Sequence, residues 1–270
     1  IRFSTEAESL FDDMKKVDKD SRETATDFVN ALKPIGGTAI QEALVLAAKT
    51  VKSSEKKGRP TMVIFLTDGR PTIGETNEDA IVKTVTKAVG DKTVRVFCFG
   101  IGTDINTHLL DKITDHTKAV SQYVLPQEDI EVKVSNFFTK ISHPVLAGID
   151  LKIKGDVRVT QMYPSTIPDL FHGDQLIVLG KYENKSGDKT VDAAIQLTGY
   201  MHGKKQTLTY ETAFPKKQKD NGFIPRLWAT RRVGYLLEQI RLHGASSELK
   251  DEVSTLARRY GIVTPYTRDR

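Results

Sequence analysis

The stretch Met62–Gly69, which reads MVIFLTDG, decides the fold. Its apolar run up to Thr67 is typical of a parallel strand that is buried on both faces. Asp68 follows directly, although nothing in a strand-to-helix turn requires a carboxylate after so apolar a strand. Because such a charge must be paired, hydrated or bound to a metal, the stretch predicts a buried strand with a candidate site at its end.

Amphipathic segments alternate with further apolar runs on both sides of this strand. The first helix is predicted to begin at Asp20, with Glu23 completing a capping box, and to end before Pro34. Its apolar stripe, expected to face the core, consists of Ala25, Phe28, Val29 and Leu32. The other predicted elements are a helix Ile40–Val51, a helix between Asn77 and Gly90, a strand Val94–Phe99, a short helix capped by Asp104, a strand Ala119–Val124 and a helix with the stripe Ile130, Val134, Phe137, Phe138 and Ile141. This alternation predicts an α/β unit over residues 1–143, with a doubly wound, mostly parallel, Rossmann-like sheet.

The hydrophobic period changes after Pro144 from helical to alternating, which indicates antiparallel strands. These strands are predicted around residues 149–153, 157–159, 176–178, 191–197 and 206–212, with turns at 184–188 and at His202-Gly203. Residues 144–215 are therefore predicted to form a small antiparallel β-sandwich. Residues 216–270 predict a linker and a C-terminal helical pair, with Trp228 in the core and helix ends at Gly244 and Gly261.

The composition of the chain limits the classes of protein to which it could belong. The net charge is +5, but lysines and arginines are interspersed with acidic residues, which favours a solvated basic surface over nucleic-acid binding. The densest basic run, residues 216–219, lies in a polar connector. The chain contains no apolar stretch approaching the ~20 residues that span a bilayer. Its single cysteine, Cys98, is predicted to be a core residue, which excludes a disulfide scaffold.

Catalytic signatures are missing from the sequence. The six histidines are scattered, no nucleophile elbow or P-loop occurs, and Gly100-Ile101-Gly102 lacks the third glycine of a dinucleotide fingerprint. The glycines of that loop are expected to serve backbone geometry. We therefore predict a non-enzymatic protein, with a hydrolase whose nucleophile lies upstream as a distant alternative. An upstream portion is expected because Ile1–Ser4 has no initiator Met and reads as part of a strand.

Three loops are expected at the carboxyl edge of the sheet, where ligands of parallel α/β folds bind. They are Gly36–Thr38, Thr67–Thr72 and Gly100–Asp104. Thr38 and Asp68 offer hard oxygen ligands of the kind that hold Mg²⁺ together with retained waters. Both also have structural readings: Thr38 fits the capping box of the next helix, and Asp68 could cap the turn into Gly69 or pair with Arg70. The residues alone leave these alternatives open.

The motifs around these loops resemble the von Willebrand factor A domain: Gly37-Thr38 before a helix, Thr67-Asp68-Gly69 at a strand end, and Phe99–Gly102. The resemblance implies a domain whose first strand lies upstream of Ile1, and a metal-ion-dependent adhesion site to which Thr38 and Asp68 contribute. Mg²⁺ is the implied ion, with Ca²⁺ or Mn²⁺ as alternatives. The family's Asp-x-Ser-x-Ser motif has no counterpart in this sequence and is expected upstream, so residues 1–270 alone are expected to bind Mg²⁺ weakly or not at all.

Motifs in the second half of the chain resemble a more specific family. Residues 171–176 (FHGDQL), 225–229 (PRLWA) and 260–266 (YGIVTPY) look like the inter-alpha-trypsin inhibitor heavy chains and their bacterial relatives. That family implies an extracellular or exported protein with a VIT domain ahead of the A domain. It also implies a protein or extracellular-matrix partner that presents an acidic group to the ion. The alternative is a structural or interaction scaffold in which the metal site is vestigial.

Overall fold

The computed structural model describes residues 1–53, 61–90, 94–185, 190–217 and 220–267. The chain folds into two compact units, which are residues 1–147 with 202–204, and residues 148–201 with 205–270. The division into three parts at residues 143 and 215 stays a prediction. No described helix is both long and apolar enough to cross a membrane.

The first unit alternates helices and strands. Its elements are β1 (Arg2–Phe3), β2 (Ala7–Glu8), α1 (Lys19–Asn30), α2 (Ile40–Ser53), β3 (Thr61–Thr67), α3 (Glu78–Val89), β4 (Val94–Ile101), α4 (Thr107–His116), β5 (Ser121–Val124) and α5 (Ile130–Ile141). Strands β3, β4 and β5 pair in parallel in that order, with Thr67 opposite Gly100 and Cys98 opposite Ser121. The predicted parallel α/β sheet is confirmed.

The core of this unit lies between the sheet and helices α2, α3 and α4. Strand β4 is buried along almost its whole length, and Cys98 within it is fully buried, as predicted. Burial raises the pKa of the Cys98 thiol, with a smaller contribution from the charge of Asp111, so the thiol stays neutral. The prediction that β3 is buried on both faces is wrong, because Leu66 on one of its faces is 39% exposed. Strand β3 is also the terminal strand of the described sheet.

Helix α1 departs from the prediction in its start and its burial. Asp18 caps it in a reciprocal box with Ser21, so the helix begins at Lys19 and not at Asp20. None of its residues is buried, and the predicted core residues Val29 and Leu32 are 58% and 53% exposed. Phe28 is only half-buried, and the guanidinium carbon of Arg2 lies over its ring, 4.5 Å from the ring centroid.

The remaining helices of this unit agree more closely with the caps and buried faces predicted from their sequences. Helix α3 is capped by Asn77 and buries the predicted set Ile81, Val82, Val85 and Val89. Helix α4 is capped by Asn106, whose Oδ1 accepts a hydrogen bond from the Leu109 N–H, so the prediction of Asp104 as the cap is wrong. On α5, Phe137 packs against Phe97 and Phe99, whereas Ile130 and Phe138 are exposed. The apolar stripe of α5 is therefore wider than the surface that it buries.

The second unit is mainly antiparallel. Its elements are β6 (Pro144–Lys154, beginning in the first unit), β7 (Val157–Tyr163), β8 (Leu170–Phe171), β9 (Leu179–Asn184), β10 (Val191–Met201), β11 (Lys204–Phe214), α6 (Ile224–His243) and α7 (Ser247–Tyr260). They form a four-stranded sheet of order β11-β10-β6-β8 and the pair β7-β9. The predicted strand at 176–178 is wrong, since β9 begins only at Leu179. The turn at His202-Gly203 is confirmed by positive φ angles at both residues, whereas 186–188 of the other predicted turn lie outside the described residues.

The two C-terminal helices pack on each other and on β7. Trp228 is 4% exposed, and its Nε1 donates a hydrogen bond to the carbonyl oxygen of Gln161 at 3.1 Å, which confirms it as a core residue. Val233 and Leu236 of α6 meet Val253 of α7 in a second cluster. Gly244 and Gly261 end the helices as predicted, and Gly261 has the left-handed conformation that favours glycine.

Candidate functional site

Two of the three predicted loops are joined directly at the carboxyl edge of the parallel sheet. The backbone N–H of Thr38 donates to Oγ1 of Thr72 at 2.8 Å, and the N–H of Thr72 donates to the carbonyl oxygen of Thr38 at 3.1 Å. This reciprocal pair fixes the loop before α2 against the loop that follows β3. No local sequence signal marks Thr72 as the partner of Thr38.

The hydroxyl of Thr38 faces the backbone beside Asp68. A Cβ atom built on Gly69 would lie 3.2 Å from Thr38 Oγ1. Thr38 is not the cap of α2, because the carbonyl oxygen of Ala39 accepts the first helical bond, from Ala43 N–H at 3.1 Å, and Ala39 thus occupies the cap position. The structure therefore brings Thr38 next to Asp68-Gly69 and leaves its hydroxyl outside the helix's own cap.

Asp68 is exposed, and the structural roles suggested for it are filled by other residues. Arg70 Nε pairs with Oδ1 of Asp104 at 3.3 Å. The turn into Gly69 is held by the buried Thr67, whose Oγ1 accepts from the Gly69 N–H at 3.3 Å and lies 3.2 Å from the Gly69 carbonyl oxygen. Within the described ranges Asp68 has no hydrogen bond or ion pair. Its carboxylate is accessible to solvent and to a ligand.

The hairpin β1–β2 supports the same edge from the other side. Thr5 Oγ1 accepts a hydrogen bond from the Gly37 N–H at 3.2 Å, and the carbonyl oxygen of Ser4 accepts one from the Ala39 N–H at 2.9 Å. Gly36 has a φ of 96°, and a Cβ there would lie 2.7 Å from Thr5 Oγ1. Ser4 and Thr5 carry no local sequence signal for this role, because their partners lie more than thirty positions away in the sequence.

The third predicted loop serves packing. A Cβ on Gly100 would lie 2.5 Å from Ile105 Cδ1 and 2.8 Å from Tyr123 Cδ1, so a larger residue there would have to displace these side chains. Gly102 has a φ of 85°, which also favours glycine. The expectation of a role in backbone geometry is confirmed at Gly102, whereas Gly100 lies in close packing with Ile105 and Tyr123.

Helices α3 and α4 are linked by a polar cluster at the start of α3. Glu78 Oε1 accepts from Asn106 Nδ2 at 2.9 Å, Glu78 Oε2 contacts His108 Nδ1, and Lys112 Nζ donates to Asp79 Oδ1 at 2.8 Å. Burial favours the neutral form of Glu78, but the hydrogen bonds from Asn106 and His108 and the nearby positive charges outweigh it and lower the pKa of Glu78. The cluster thus stabilises the carboxylate form of Glu78.

The donor set fits part of a magnesium site. A hydroxyl and a carboxylate are ligands that Mg²⁺ accepts, and this ion usually keeps several waters in its octahedral shell. No group of three or more His, Cys, Asp or Glu side chains that could hold a metal ion occurs among the residues described by the structure. Thr38 and Asp68 can therefore supply only a minority of the six coordination positions.

The fold and these loops agree with a known domain family. A family model described as "von Willebrand factor type A domain" matches residues 1–122 of the chain. Over this range the chain is similar to a von Willebrand factor type A domain. The matched range holds β1 to β4, helices α1 to α4 and the start of β5, and it includes Thr38 and Asp68.

Similarity to curated proteins extends over both units. The chain is 27% identical to inter-alpha-trypsin inhibitor heavy chain 4 of Mus musculus and 26% identical to heavy chain H4 of Homo sapiens, in each case over 99% of its own length. It is 28% identical to heavy chain H6 of Homo sapiens over 90% of its length. The resemblance to the heavy chains is confirmed. The chain spans 29%, 30% and 20% of these relatives, respectively.

Solved structures support the fold. A von Willebrand factor type A protein from Catenulispora acidiphila superposes with a TM-score of 0.63 at 16% identity, covering 96% of this chain and 69% of that chain. The human COPII-coat protein Sec24c superposes with a TM-score of 0.57 at 12% identity, covering 91% and 41%. At such low identities the likeness concerns the fold alone.

Proposed function

We propose that this chain is a non-enzymatic binding module in which Thr38 and Asp68 hold Mg²⁺ and thereby bind an acidic group of a protein or matrix partner. The observation that carries the proposal is the position of Thr38 Oγ1, 3.2 Å from where a Cβ of Gly69 would be, directly beside the exposed Asp68. Ca²⁺ or Mn²⁺ could take the place of Mg²⁺ with the same oxygen ligands.

The residues around the site would hold the two ligands in place. Thr72 fixes the backbone of Thr38 from one side, and the Ser4–Thr5 turn fixes the same loop from the other. Thr67 shapes the turn that presents Asp68, and Arg70 is held by Asp104. When bound, the ion would offer open coordination positions to a carboxylate. The exposure of Asp68 leaves room for a large partner.

We also propose a cellular location and a domain context for this module. The curated relatives are heavy chains of which this chain spans less than a third. By analogy with the family, we infer an extracellular or exported protein, at the cell surface or in the periplasm if bacterial, with a VIT domain ahead of the A domain. A motif of the Asp-x-Ser-x-Ser type would supply the remaining ligands there.

A surface coated with poly-L-glutamate tests the bridging role. For the full-length protein, we expect Mg²⁺ to increase binding and a chelator to reverse it, because an ion bridge needs the cation. Simple attraction between a chain of net charge +5 and a polyanion would instead weaken with added Mg²⁺. Asp68→Asn and Thr38→Val should abolish the increase, whereas Asp115→Asn, which removes an exposed carboxylate at the far end of α4, should not.

The alternative is a scaffold with a vestigial metal site. It is favoured by the fact that no cluster of three acidic, histidine or cysteine ligands occurs in the described part of the chain. The same experiment separates the two functions. If Mg²⁺ only weakens binding of the full-length protein, and Asp68→Asn changes nothing, the scaffold is the correct function.

A further inference from the structure

Strand β11 (Lys204–Phe214) forms an edge of the four-stranded sheet of the second unit. On its inner side it pairs with β10, where the hydroxyls of Thr198 and Thr207 lie 3.2 Å apart. On its outer side no strand of the described chain pairs with it. The strand has eleven residues, contains neither proline nor glycine, and is exposed on both faces from Lys204 to Glu211.

Such an edge is unusual for a protein that stays monomeric. A long, regular strand with free N–H and C=O groups is a template for pairing with another strand. Two large apolar side chains point outward from the same face of β11, Leu208 at 39% and Tyr210 at 57% exposure. Pairing would place both beside side chains of the added strand and so reduce their exposure. Lysines commonly protect such edges from pairing. In β11 they occur only at one end, as Lys204 and Lys205, so the rest of the strand has no such protection.

The charge pattern of β11 is complementary to itself. We propose that β11 pairs with β11 of a second copy of this chain, antiparallel and centred on Leu208, to form a homodimer with one continuous sheet. In this register Lys205 of each copy faces Glu211 of the other, Thr207 faces Thr209, and the two Leu208 side chains meet on the dimer axis. Both ends of the strand therefore gain an opposite-charge pair.

Geometry selects this register over its neighbours. Opposite residues of two antiparallel strands share a face of the sheet, so an odd-numbered residue must meet an odd-numbered residue. Glu211 can therefore face Lys205 but not Lys204. Moving the centre to residue 207 or 209 would separate Lys205 from Glu211, and would leave both charges opposite uncharged residues or the ends of the strand. The proposal does not depend on the metal site, which lies in the other unit.

Cysteine cross-linking tests the register. In the proposed dimer the two Leu208 Cα atoms lie about 4.5–5.5 Å apart, within the range of a disulfide. Since the one native cysteine is fully buried, Leu208→Cys should give a disulfide-linked dimer under mild oxidation. Tyr210→Cys is the matched control on the same face, because its two copies would be separated by four residues, roughly 13 Å along the strand. Equal cross-linking of both variants, or of neither, would overturn the proposal.

Charge exchange tests the contacts independently. By sedimentation equilibrium, Lys205→Glu and Glu211→Lys should each weaken the dimer about tenfold, because each creates like-charge pairs at both ends. The double variant restores the pairs with reversed sign and should recover the affinity. Circular dichroism checks that each variant is folded. A chain that is monomeric up to about 1 mM, or a dimer that ignores all three changes, would contradict the proposal.

Discussion

Thr38 and Thr72 hold each other by two hydrogen bonds, in which each backbone N–H is bonded to an oxygen of the other residue. Through this pair, the loop that carries one candidate ligand is fixed to the loop that follows the other. The contact links positions 34 residues apart and fixes the two loops to each other.

Thr72→Val tests how much this pair stabilises the edge of the sheet. The change keeps the shape of the side chain but leaves the Thr38 N–H without its acceptor, so we expect a loss of about 0.5–1.5 kcal/mol in the free energy of unfolding. Amide exchange at Thr38 should accelerate. Thr76→Val is the matched control, since Thr76 is an exposed threonine of the same connection with no hydrogen bond in the described chain. Equal effects of the two variants would mean that the pair does not stabilise the edge.

Gly37→Ala tests how tightly the two loops fit. A Cβ at this position would overlap Ile73 Cγ1, so the added methyl group must displace Ile73 or the backbone. We expect a loss of about 1–3 kcal/mol in urea unfolding. Ile73→Ala should remove most of that loss when combined with Gly37→Ala, because it vacates the space. Additive losses in the double variant would show that Ile73 is not the obstacle.

The elements with strong local signals were predicted correctly. Their signals consist of residues adjacent in the sequence. These signals are the apolar run of β3, the acidic start of α3 and the glycines that end α6 and α7. The start of α1 was misplaced because two capping patterns overlap, Asp18 with Ser21 and Asp20 with Glu23, and local sequence does not decide between them. The side chain of Asn106 decides the start of α4 in the same way.

Burial was harder to predict than secondary structure. An apolar stripe shows which face of a helix could pack, but not whether a surface is available to cover it. Val29 and Phe138 lie on helices that were assigned correctly and are nevertheless exposed, whereas Leu32 lies beyond the end of α1 and is exposed as well. At the candidate site, Thr38 and Asp68 were found from local motifs, whereas Thr5 and Thr72 act across more than thirty residues and carry no local signal.

Acid stability should depend on Glu78. Because the pKa of Glu78 is lowered in the folded state, its carboxylate contributes stability above its ordinary pKa, and this is lost as the pH falls from about 5 through the lowered pKa. Glu78→Gln should therefore flatten the fall in thermal stability over that range. Glu131→Gln is the control, as Glu131 lies in the first turn of α5 without a described partner. A curve unchanged by Glu78→Gln would refute this role.

The second unit should depend on the contact between Arg232 and Glu252. Arg232 Nε and Nη2 donate to the two carboxylate oxygens of Glu252 at 2.7 and 2.6 Å, and Nη1 donates to the Tyr163 hydroxyl at 2.6 Å. Lysine cannot make these bonds together, so Arg232→Lys should cost about 1–2 kcal/mol, with both side chains partly exposed.

The fluorescence of Trp228 follows this unfolding, since Trp228 is the single tryptophan and belongs to the same unit. Arg231→Lys, on the exposed side of α6, is the matched control and should cost little. If the two variants unfold at the same urea concentration, the bidentate pair contributes nothing measurable.

The affinity of residues 1–270 for Mg²⁺ alone should be weak. Thr38 and Asp68 provide a minority of an octahedral shell, so we expect a dissociation constant above about 1 mM by calorimetry. Tighter binding would mean that this chain contributes ligands beyond these two.

Paramagnetic broadening by Mn²⁺ tests the central claim most directly, because it detects even weak binding at known residues. In NMR spectra of residues 1–270, millimolar Mn²⁺ should broaden the amide signals of Thr38 and Gly69 together. Asp68→Asn should remove the broadening at both, and Asp115→Asn should leave it intact. Broadening confined to other carboxylates, such as Glu78 and Asp79, or broadening at Thr38 that persists in Asp68→Asn, would contradict a shared cation site.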